Sequence, residues 1–322
     1  MKGSGLDDTM GRKKAALAII VVLLFLIGCS PEISYDTSPF EIPSGVIQVS
    51  FSATADMRDY TGDNRLYFRG ACERIAYGSP GDFMVSPGDI DPPDLVYSDI
   101  QTFIDPNYPW YPVVGNHEAE TDSDMTWLRT FNMNGSLLPN IVSRGPANGV
   151  ETNYSFDYGD AHFTVLNEYY DGTSDTATDG DIPTALHDWL VADLTATSKP
   201  VKFVIGHEPA FPQPDEESGR LRHQDDSLNV HETNRDQFWQ TLVNNAVTAY
   251  ICGHTHNFSV HQDSGVWQID VGHARGFGDT GARSTFVMFY VMDDGNVWCY
   301  PYRLNLKSHN YELGTPLKIR QP

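Results

Sequence analysis

The sequence predicts an α/β fold built from stacked layers. Short apolar runs that are rich in β-branched and aromatic residues alternate with longer helical patterns, and each run stops at a glycine or a polar residue. The chain shows no internal repeat and no low-complexity tract. Alternation of strands and helices is typical of layered domains in which the chemistry lies at the strand ends.

Five of the apolar runs have the length and composition of buried strands, and each leads to a residue that can bind a metal ion. The runs cover residues 46–51, 82–85, 111–114, 201–205 and 248–251, and they lead in turn to Asp56, Asp89, Asn116, His207 and His254. Helical periodicity is clearest over residues 185–194 and 235–242. The pattern therefore predicts that the candidate ligands meet at one side of the fold.

The start of the chain has the pattern of an export signal. Arg12, Lys13 and Lys14 precede an apolar run over residues 15–28, which is shorter than the roughly 20 residues that a membrane span needs. The run ends at Cys29, and residues 26–29 resemble a bacterial lipobox, which implies a lipidated Cys29 and a lipid-anchored protein of the bacterial cell envelope, either periplasmic or at the cell surface. An uncleaved anchor helix is the alternative, and it also exports the domain.

These patterns divide the chain into four parts. Residues 1–28 are expected to be a lipoprotein signal peptide, and the proline- and serine-containing residues 29–44 a tether. Residues 45–305 have the length and periodicity of a single layered domain, and residues 306–322 are expected to be a C-terminal tail.

The charge of the chain bears on its partners. Residues 1–28 hold four of the 21 basic and two of the 43 acidic residues, so the remainder carries 17 and 41, a net charge of −24. Such a surface repels polyanions, and we expect no nucleic-acid partner. Three cysteines remain after Cys29, and the sequence does not decide whether two of them pair; Cys252 lies in an apolar run that predicts a core position.

Six clusters along the chain offer a hard oxygen or an imidazole, and this series predicts a dinuclear metal site. A carboxylate with two oxygens can bridge two cations, whereas imidazole and amide ligands add affinity without adding negative charge. The clusters are Asp56-Met57-Arg58, Gly88-Asp89, Gly115-Asn116-His117-Glu118, Gly206-His207, Gly253-His254 and His256.

In its order and residue types, this series resembles the calcineurin-like metallophosphoesterase family, which includes the purple acid phosphatases. Residues 153–167 also resemble the strand pair of the purple acid phosphatases. The resemblance implies a layered β-sandwich of two mixed sheets flanked by helices, and it implies two divalent ions, whether Fe, Mn or Zn. It places Asp56, Asp89 and His256 on one ion and Asp89, Asn116, His207 and His254 on the other.

The resemblance also implies the chemistry. A hydroxide that bridges the two ions would attack the phosphorus, and His117 would give a proton or a hydrogen bond to the leaving oxygen. Glu118 would orient the loop that carries the neighbouring ligand. The implied function is hydrolysis of a small phosphomonoester. A phosphodiesterase of the same fold and a degenerate, non-catalytic binding module are the alternatives, and the oligomeric state stays open.

Two positions depart from the family pattern. Arg58 stands where the family has a histidine ligand, and a guanidinium cannot bind a cation. Arg58 is therefore predicted either to bind a substrate phosphate or to pair with a nearby carboxylate. Ile90 and Asp91 follow the Gly-Asp motif in place of the iron-binding tyrosine of the purple acid phosphatases, so no tyrosinate–iron colour is expected.

A polar stretch between the run that leads to His207 and the next helix is a candidate substrate loop, because long loops near strand ends often cover active sites. It contains Arg220, Arg222 and His223. An ordinary exposed loop is the alternative. His273 and Arg275 follow a further predicted strand and are candidates for the same pocket.

Overall fold

A computed structural model of the chain describes residues 36–57 and 67–322. The predicted signal peptide, the lipidation site at Cys29 and the candidate phosphate ligand Arg58 lie outside the described residues. Within the described ranges, every helix falls short of the length and apolar character that crossing a membrane requires.

Two mixed sheets form the centre of the domain, and flanking helices cover them. In chain order, the described strands are β1 (Ile47–Ala53), β2 (Phe83–Ser86), β3 (Trp110–Pro112), β4 (Ile141–Arg144), β5 (Tyr154–Tyr158), β6 (Ala161–Val165), β7 (Val201–Ile205), β8 (Ala249–Cys252), β9 (Phe258–Asp263), β10 (Val266–Val271), β11 (Thr285–Met292), β12 (Val297–Leu304), β13 (Tyr311–Leu313) and β14 (Leu317–Arg320). The helices are α1 (Phe68–Gly78), α2 (Pro93–Phe103), α3 (Asn116–Ala119), α4 (Asp122–Phe131), α5 (Thr184–Ala196) and α6 (Glu232–Asn244).

The order of the strands brings the candidate ligands together. The first sheet runs β13-β12-β11-β1-β2-β3 with β14 beside β12, and the second runs β4-β5-β6-β7-β8-β10-β9. Strands β1, β2 and β3 are parallel neighbours in one sheet, and β7 and β8 are parallel neighbours in the other. Parallel strands end at the same edge of a sheet. The predicted class, two mixed sheets flanked by helices, is confirmed.

Aromatic side chains fill the space between the sheets. The ring centroid of Phe51 in β1 lies 5.2 Å from that of Phe163 and 5.3 Å from that of Phe203. Both of these phenylalanines belong to the second sheet, and the planes of their rings are nearly perpendicular to the ring of Phe51. Alternate residues of each strand face this layer because successive side chains point to opposite faces. Each fully buried phenylalanine contributes about 1.5–3 kcal/mol of transfer free energy, so this layer holds the two ligand-bearing edges in a fixed relation.

The helices bury the outer faces of the sheets. On the first sheet, Ile75 of α1 and Ile100 of α2 belong to one apolar cluster with Met84. On the second sheet, Leu190 of α5 packs in another cluster, and the ring of Phe238 in α6 lies 5.2 Å from that of Tyr250 in β8. The predicted helical segments 185–194 and 235–242 fall inside α5 and α6.

The structure differs from the expected domain limits at both ends. Phe40, in the predicted tether, is 6% exposed; its N–H donates to the Gly78 carbonyl, and its ring lies 4.3 Å from that of Tyr302. At the other end, residues 306–322 are not a separate tail, because β13 and β14 both pair with β12. β13 and β14 are short, and pairing with β12 stabilises them.

The three described cysteines are buried and unpaired. Cys72 lies in α1, Cys252 in β8 and Cys299 in β12. Burial raises the pKa of the Cys72 and Cys252 thiols well above its ordinary value, so both stay protonated. Cys252 occupies the core position that the apolar run predicted.

A buried histidine links β5, β6 and α5 through two carboxylates. The Nδ1 atom of His162 lies 2.8 Å from Asp157 Oδ1, and its Nε2 atom lies 3.0 Å from Asp193 Oδ2. Burial alone would lower the pKa of His162, but the hydrogen bonds to Asp193 and Asp157 outweigh it and raise the pKa. A ring that donates from both nitrogens carries a positive charge.

We expect this ion pair to make stability depend on pH. Its contribution is fully present below the unfolded histidine pKa of about 6.5 and is lost as the pH rises through the higher folded pKa. The difference in unfolding free energy between the wild type and His162→Gln should therefore be largest in acid and should shrink as the pH rises, as measured by urea denaturation. His187→Gln, which removes a bond of 2.8 Å to the Thr241 hydroxyl, is the control. A difference that does not vary with pH would contradict the assignment.

Candidate metal centre

Two turns that follow neighbouring strands are joined directly to each other. The N–H of Asp56, after β1, donates to the Gly88 carbonyl at 3.1 Å, and the N–H of Met57 donates to the Asp89 carbonyl at 2.8 Å. Since the Gly88-Asp89 turn accepts both N–H groups of the Asp56-Met57 turn, the two carboxylates enter the site in a fixed relation. Asp56 and Asp89 are both buried.

Four of the candidate ligands have a left-handed backbone. The φ angles are 54° at Asp56, 53° at Asp89, 68° at His254 and 58° at His256. A residue with a Cβ rarely adopts this conformation, and the surrounding structure must impose it at an energetic cost of about 1–3 kcal/mol each. Strained backbone at four candidate ligands indicates that side-chain direction is set for a function.

Glycines next to the ligands allow the turns to approach closely. A Cβ on Gly253 would lie 2.6 Å from the Ala55 Cβ and 2.8 Å from Asp56 Oδ2. A Cβ on Gly115 would lie 2.3 Å from the Asp89 backbone nitrogen. Gly253 and Gly115 therefore have a packing reason, which is the close approach of their turns to Asp56 and Asp89.

The ligand atoms of Asp56 and His256 face each other on the first side of the site, and Asp89 offers a carboxylate oxygen within 4.8 Å of Asp56. His256 Nε2 lies 3.4 Å from Asp56 Oδ1. Asp56 Oδ2 accepts the N–H of His254 at 3.0 Å, while Asp56 Oδ1 is buried and has no hydrogen-bond partner among the described residues. An orphaned carboxylate oxygen opposite an imidazole nitrogen fits a cation between them.

On the second side of the site, three further atoms that could bind a metal ion surround the Nε2 atom of His207. Asn116 Oδ1 is 3.3 Å away, His254 Nδ1 is 3.2 Å away and Asp89 Oδ1 is 3.4 Å away. Asp56, Asp89 and His207 together form a group whose ligand atoms lie within 4.8 Å of one another. Asp89 therefore lies between the two sides, where a carboxylate could bridge two ions.

Each of the three histidines has an acceptor for its outward nitrogen. His207 Nδ1 lies 2.8 Å from the Pro87 carbonyl, His254 Nε2 lies 2.6 Å from the Asp226 carbonyl and His256 Nδ1 lies 2.8 Å from Asp279 Oδ2. These acceptors fix the proton on the outer nitrogen and leave the inner nitrogen as a lone-pair donor. That arrangement fits metal ligands.

Electrostatics favour a bound cation. Burial, together with the nearby Asp89 and Asp270, raises the pKa of Asp56 well above its ordinary value. Burial also lowers the pKa of His254 far below its ordinary value and that of His256 to about 2, which keeps both rings neutral. Neutral imidazoles can bind a cation, and a cation between the carboxylates would offset their burial and mutual repulsion. The residues therefore fit a pair of divalent ions.

Glu118 organises the turns without facing the candidate ions. Its Oε2 atom accepts the N–H of Asp89 at 3.0 Å and that of Gly115 at 2.8 Å, and its Oε1 atom accepts the N–H of Ile90 at 2.8 Å. One buried carboxylate thus holds the turns after β2 and β3 together.

Glu168, Glu208 and Asp279 are acidic residues of the site that no sequence motif indicates. Glu168 Oε2 accepts the N–H of His207 at 2.9 Å and that of Glu208 at 2.6 Å, so it holds the turn after β7. Burial raises the pKa of Glu168 to about 7. Glu208 lines the cavity described next, and Asp279 contacts His256. Glu168 directly follows residues 153–167, and this position after a strand pair is its one local signal.

A cavity of about 130 Å³ opens onto the candidate ligands, and the polar residues around it come from several loops. His117, Arg222 and His223 line it, together with the exposed carboxylates of Glu120 and Asp179. The Nε2 atom of His117 lies 3.7 Å from Asp89 Oδ2.

The predicted loop residues divide into two groups. Arg222 and His223 reach the cavity, whereas the Arg220 side chain lies behind it, donating from Nε to Asn257 Oδ1 at 2.8 Å. His273 is buried with its ring 5.7 Å from that of His256, and it accepts the N–H of Arg275 at 3.1 Å. The structure thus places His273 and Arg275 beside the first side of the site, with His273 packed under His256.

Comparison with known proteins supports a family assignment. A model of the calcineurin-like phosphoesterase family matches residues 55–258. No curated protein matches the chain. The chain is similar to the solved structure of GAP50, the anchor in the inner membrane complex of Plasmodium, at 15% identity over 84% of this chain and 88% of that chain, with a TM-score of 0.54.

Two further solved structures are similar at lower scores. They are the Zn²⁺ complex of Vps29 from Entamoeba histolytica (11% identity, 84% of this chain, 99% of that chain, TM-score 0.42) and a predicted phosphoesterase from Streptococcus pneumoniae (10% identity, 84% of this chain, 96% of that chain, TM-score 0.39). At such low identity, the likeness to GAP50 concerns the fold alone.

The position of Glu118 leads to a test. Glu118→Ala removes the acceptor of three buried backbone N–H groups, each of which costs about 1–3 kcal/mol when unsatisfied. We expect the free energy of unfolding to fall by about 3 kcal/mol or more and zinc affinity to weaken, as measured by urea denaturation and titration calorimetry. The control is Asp188→Ala, an exposed carboxylate of α5 that does not line the cavity. Unchanged zinc binding in Glu118→Ala would show that this residue does not organise the site.

Proposed function

Because the chain belongs to the calcineurin-like phosphoesterase family, we propose that it is a metal-dependent phosphoric ester hydrolase acting on a small phosphomonoester. The observation that carries this proposal is the convergence of Asp56, Asp89 and His256 on one side and of Asn116, His207 and His254 on the other. Asp89 stands between the two sets. A module that only binds a partner would not need three histidines whose outer nitrogens each have a hydrogen-bond acceptor and whose inner nitrogens all face the candidate metal site.

The roles of the residues follow from their contacts. Asp56 and His256 would hold one divalent ion, Asn116, His207 and His254 the other, and Asp89 would contact both. When bound, such ions activate water and neutralise the charge that develops on a transferred phosphoryl group. Fe, Mn and Zn are the candidates because they suit mixed oxygen and imidazole ligands.

His117 is the group best placed to protonate the leaving alcohol. It lines the cavity and is about a quarter exposed, and its two ring nitrogens lie 3.7 Å from carboxylate oxygens of Asp89 and Asp91. An imidazole in this position can give a hydrogen bond or a proton to the oxygen of a leaving alcohol. The ring lines the cavity while the backbone of His117 stays in the turn that carries Asn116.

The size and lining of the cavity support a phosphomonoester. Its volume of about 130 Å³ is well below the roughly 300 Å³ at which pockets for drug-sized ligands begin. Such a space suits a phosphoryl group that enters while its alcohol stays outside. Arg222 supplies the positive charge on the wall of the cavity, and a guanidinium is suited to binding two phosphate oxygens.

The enzyme hypothesis has a direct test. The purified domain, loaded with Mn²⁺, Fe²⁺ or Zn²⁺, should release phosphate from an aryl phosphate, and Asp89→Ala should lower kcat by at least about a thousandfold, since the carboxylate joins both metal sites. Asp188→Ala, an exposed position in α5, is the matched control. Metal content is measured on the same samples.

The outcome also separates the alternatives. Faster release from a bis-aryl phosphate than from the monoester would replace the proposed substrate with a phosphodiester. Absence of hydrolysis with all three metals would leave a degenerate binding module. Activity that survives in Asp89→Ala would place the chemistry elsewhere.

The location of the enzyme is part of the proposal. The basic and apolar leader and the lipobox-like residues 26–29 support export and lipid anchoring of the domain in the cell envelope. In a bacterial host, the wild-type chain should incorporate labelled palmitate and sediment with membranes, whereas Cys29→Ser should incorporate none. Cys72→Ser is the control for a cysteine inside the domain. Label that persists in Cys29→Ser would contradict the anchor.

A further inference from the structure

Asp279 lies behind one of the candidate ligands, in the loop between β10 and β11. Its Oδ2 atom is 2.8 Å from His256 Nδ1, and its side chain is 11% exposed. None of the sequence motifs includes this residue. A nearly buried carboxylate therefore contacts the outer nitrogen of a candidate metal ligand.

The bond to Asp279 selects one tautomer of His256. If Nδ1–H donates to the carboxylate, then Nε2 carries the lone pair, and Nε2 is the atom that faces Asp56 Oδ1 at 3.4 Å. A carboxylate behind a metal-binding histidine orients the ring and makes it a better donor. Asp279 thus acts on the candidate ion through His256.

Two arginines of the substrate loop hold the same carboxylate. Arg220 Nη1 donates to Asp279 Oδ1 at 2.6 Å, and Arg222 Nη1 donates to Oδ2 at 3.3 Å. The N–H of Gly281 also donates to Oδ1 at 2.9 Å. The carboxylate is therefore anchored from its own loop and from the loop that carries Arg220 and Arg222.

Arg220 fastens this arrangement to the metal-binding turn. Its Nη2 donates to the carbonyl of His256 at 3.2 Å, and its Nε donates to Asn257 Oδ1 at 2.8 Å. A Cβ on Gly281 would lie 2.2 Å from Arg220 Nη1, so a side chain at this position would displace the guanidinium. Arg220 is a structural clamp, which leaves Arg222 as the arginine that reaches the cavity.

Arg222 also contacts His256 Nδ1 through its Nη1. An arginine can only donate, so this contact requires a lone pair on Nδ1, whereas the tautomer that binds a metal through Nε2 carries the proton there. An ion held through Nε2 would therefore favour the Asp279 bond over the Arg222–His256 contact. Arg222 would then keep the Asp279 carboxylate as its anchor on the wall of the cavity.

We propose that Asp279 is a positioning residue that holds His256 in its metal-binding tautomer and Arg222 beside the phosphate site, so that the binding of metal and of phosphate is linked through one carboxylate. The inference rests on the proposed function for the identity of the site. It goes further in naming the residue that joins the ion to the substrate loop.

The test is binding, measured without turnover. Zinc is titrated into the metal-free chain by calorimetry, and inorganic phosphate is then titrated into the zinc-loaded chain. The wild type should bind two zinc ions, and Asp279→Ala should weaken one of them by about ten- to hundredfold while leaving the other within about threefold. Arg222→Ala should leave both zinc affinities within about threefold and weaken phosphate binding by about tenfold.

Conservative and remote variants complete the design. Asp279→Asn keeps an acceptor for His256 but loses the charge, so its zinc affinity should lie between those of the wild type and Asp279→Ala, and it replaces Asp279→Ala if that variant fails to fold. Asp263→Asn, at the exposed end of β9, should match the wild type in both titrations. Thermal unfolding of each metal-free variant reports any loss of fold.

Three results would overturn the inference: both zinc ions binding to Asp279→Ala as they do to the wild type, both weakening equally, or phosphate binding equally well to Arg222→Ala. A wild type that binds only one zinc ion would also overturn it, while hydrolysis by that protein would leave the proposed function standing. Conversely, the predicted titrations in a chain that hydrolyses no phosphate ester would support the inference and end the proposed function.

Discussion

The burial of two carboxylates, Asp56 and Asp89, at the meeting point of the two sheets is the constraint on which the rest of the site depends. Charges of like sign cannot be buried near each other without compensation. The surrounding structure provides part of it through backbone N–H donors and neutral imidazoles. Asp56 Oδ1 faces His256 Nε2 at 3.4 Å, where a divalent cation would offset the negative charge of the buried carboxylates.

That constraint explains why so much of the surrounding structure is polar and buried. Glu118 and Glu168 each accept two or three backbone N–H groups and so fix the turns after β2, β3 and β7. Positioned turns matter because a displacement of a metal ligand by a fraction of an ångström changes coordination. The aromatic layer between the sheets also positions the ligands, since it keeps the ligand-bearing edges of the two sheets at a constant separation.

The sequence was informative where the signal is local. Strand periodicity and the residue that follows each strand are adjacent in the chain, which is why the fold class and the members of the ligand series could be predicted. Asp279 and Glu168 could not, because their partners lie 23 and 39 residues away and no spacing rule relates them. The acceptor for His254 is a backbone carbonyl, that of Asp226, and every residue type carries one.

The ends of the domain show the same limit. Strands β13 and β14 have three and four residues, too few for a periodic pattern, and they form because β12 offers an open edge. Phe40 stands in a segment that resembles a linker and is buried by Tyr302, far along the chain. The composition of this segment is that of a tether, but the contact between Phe40 and Tyr302 packs part of it against the domain.

The left-handed backbone at Asp56, Asp89, His254 and His256 has a consequence for how the protein responds to its surroundings. Four strained residues lower the stability of the metal-free fold, and ions that bind only the folded chain would restore it in proportion to the logarithm of their free concentration. The melting temperature of the domain would then rise with the concentration of free metal. An environment poor in metal would leave the same polypeptide more open to proteolysis before any catalytic step is considered.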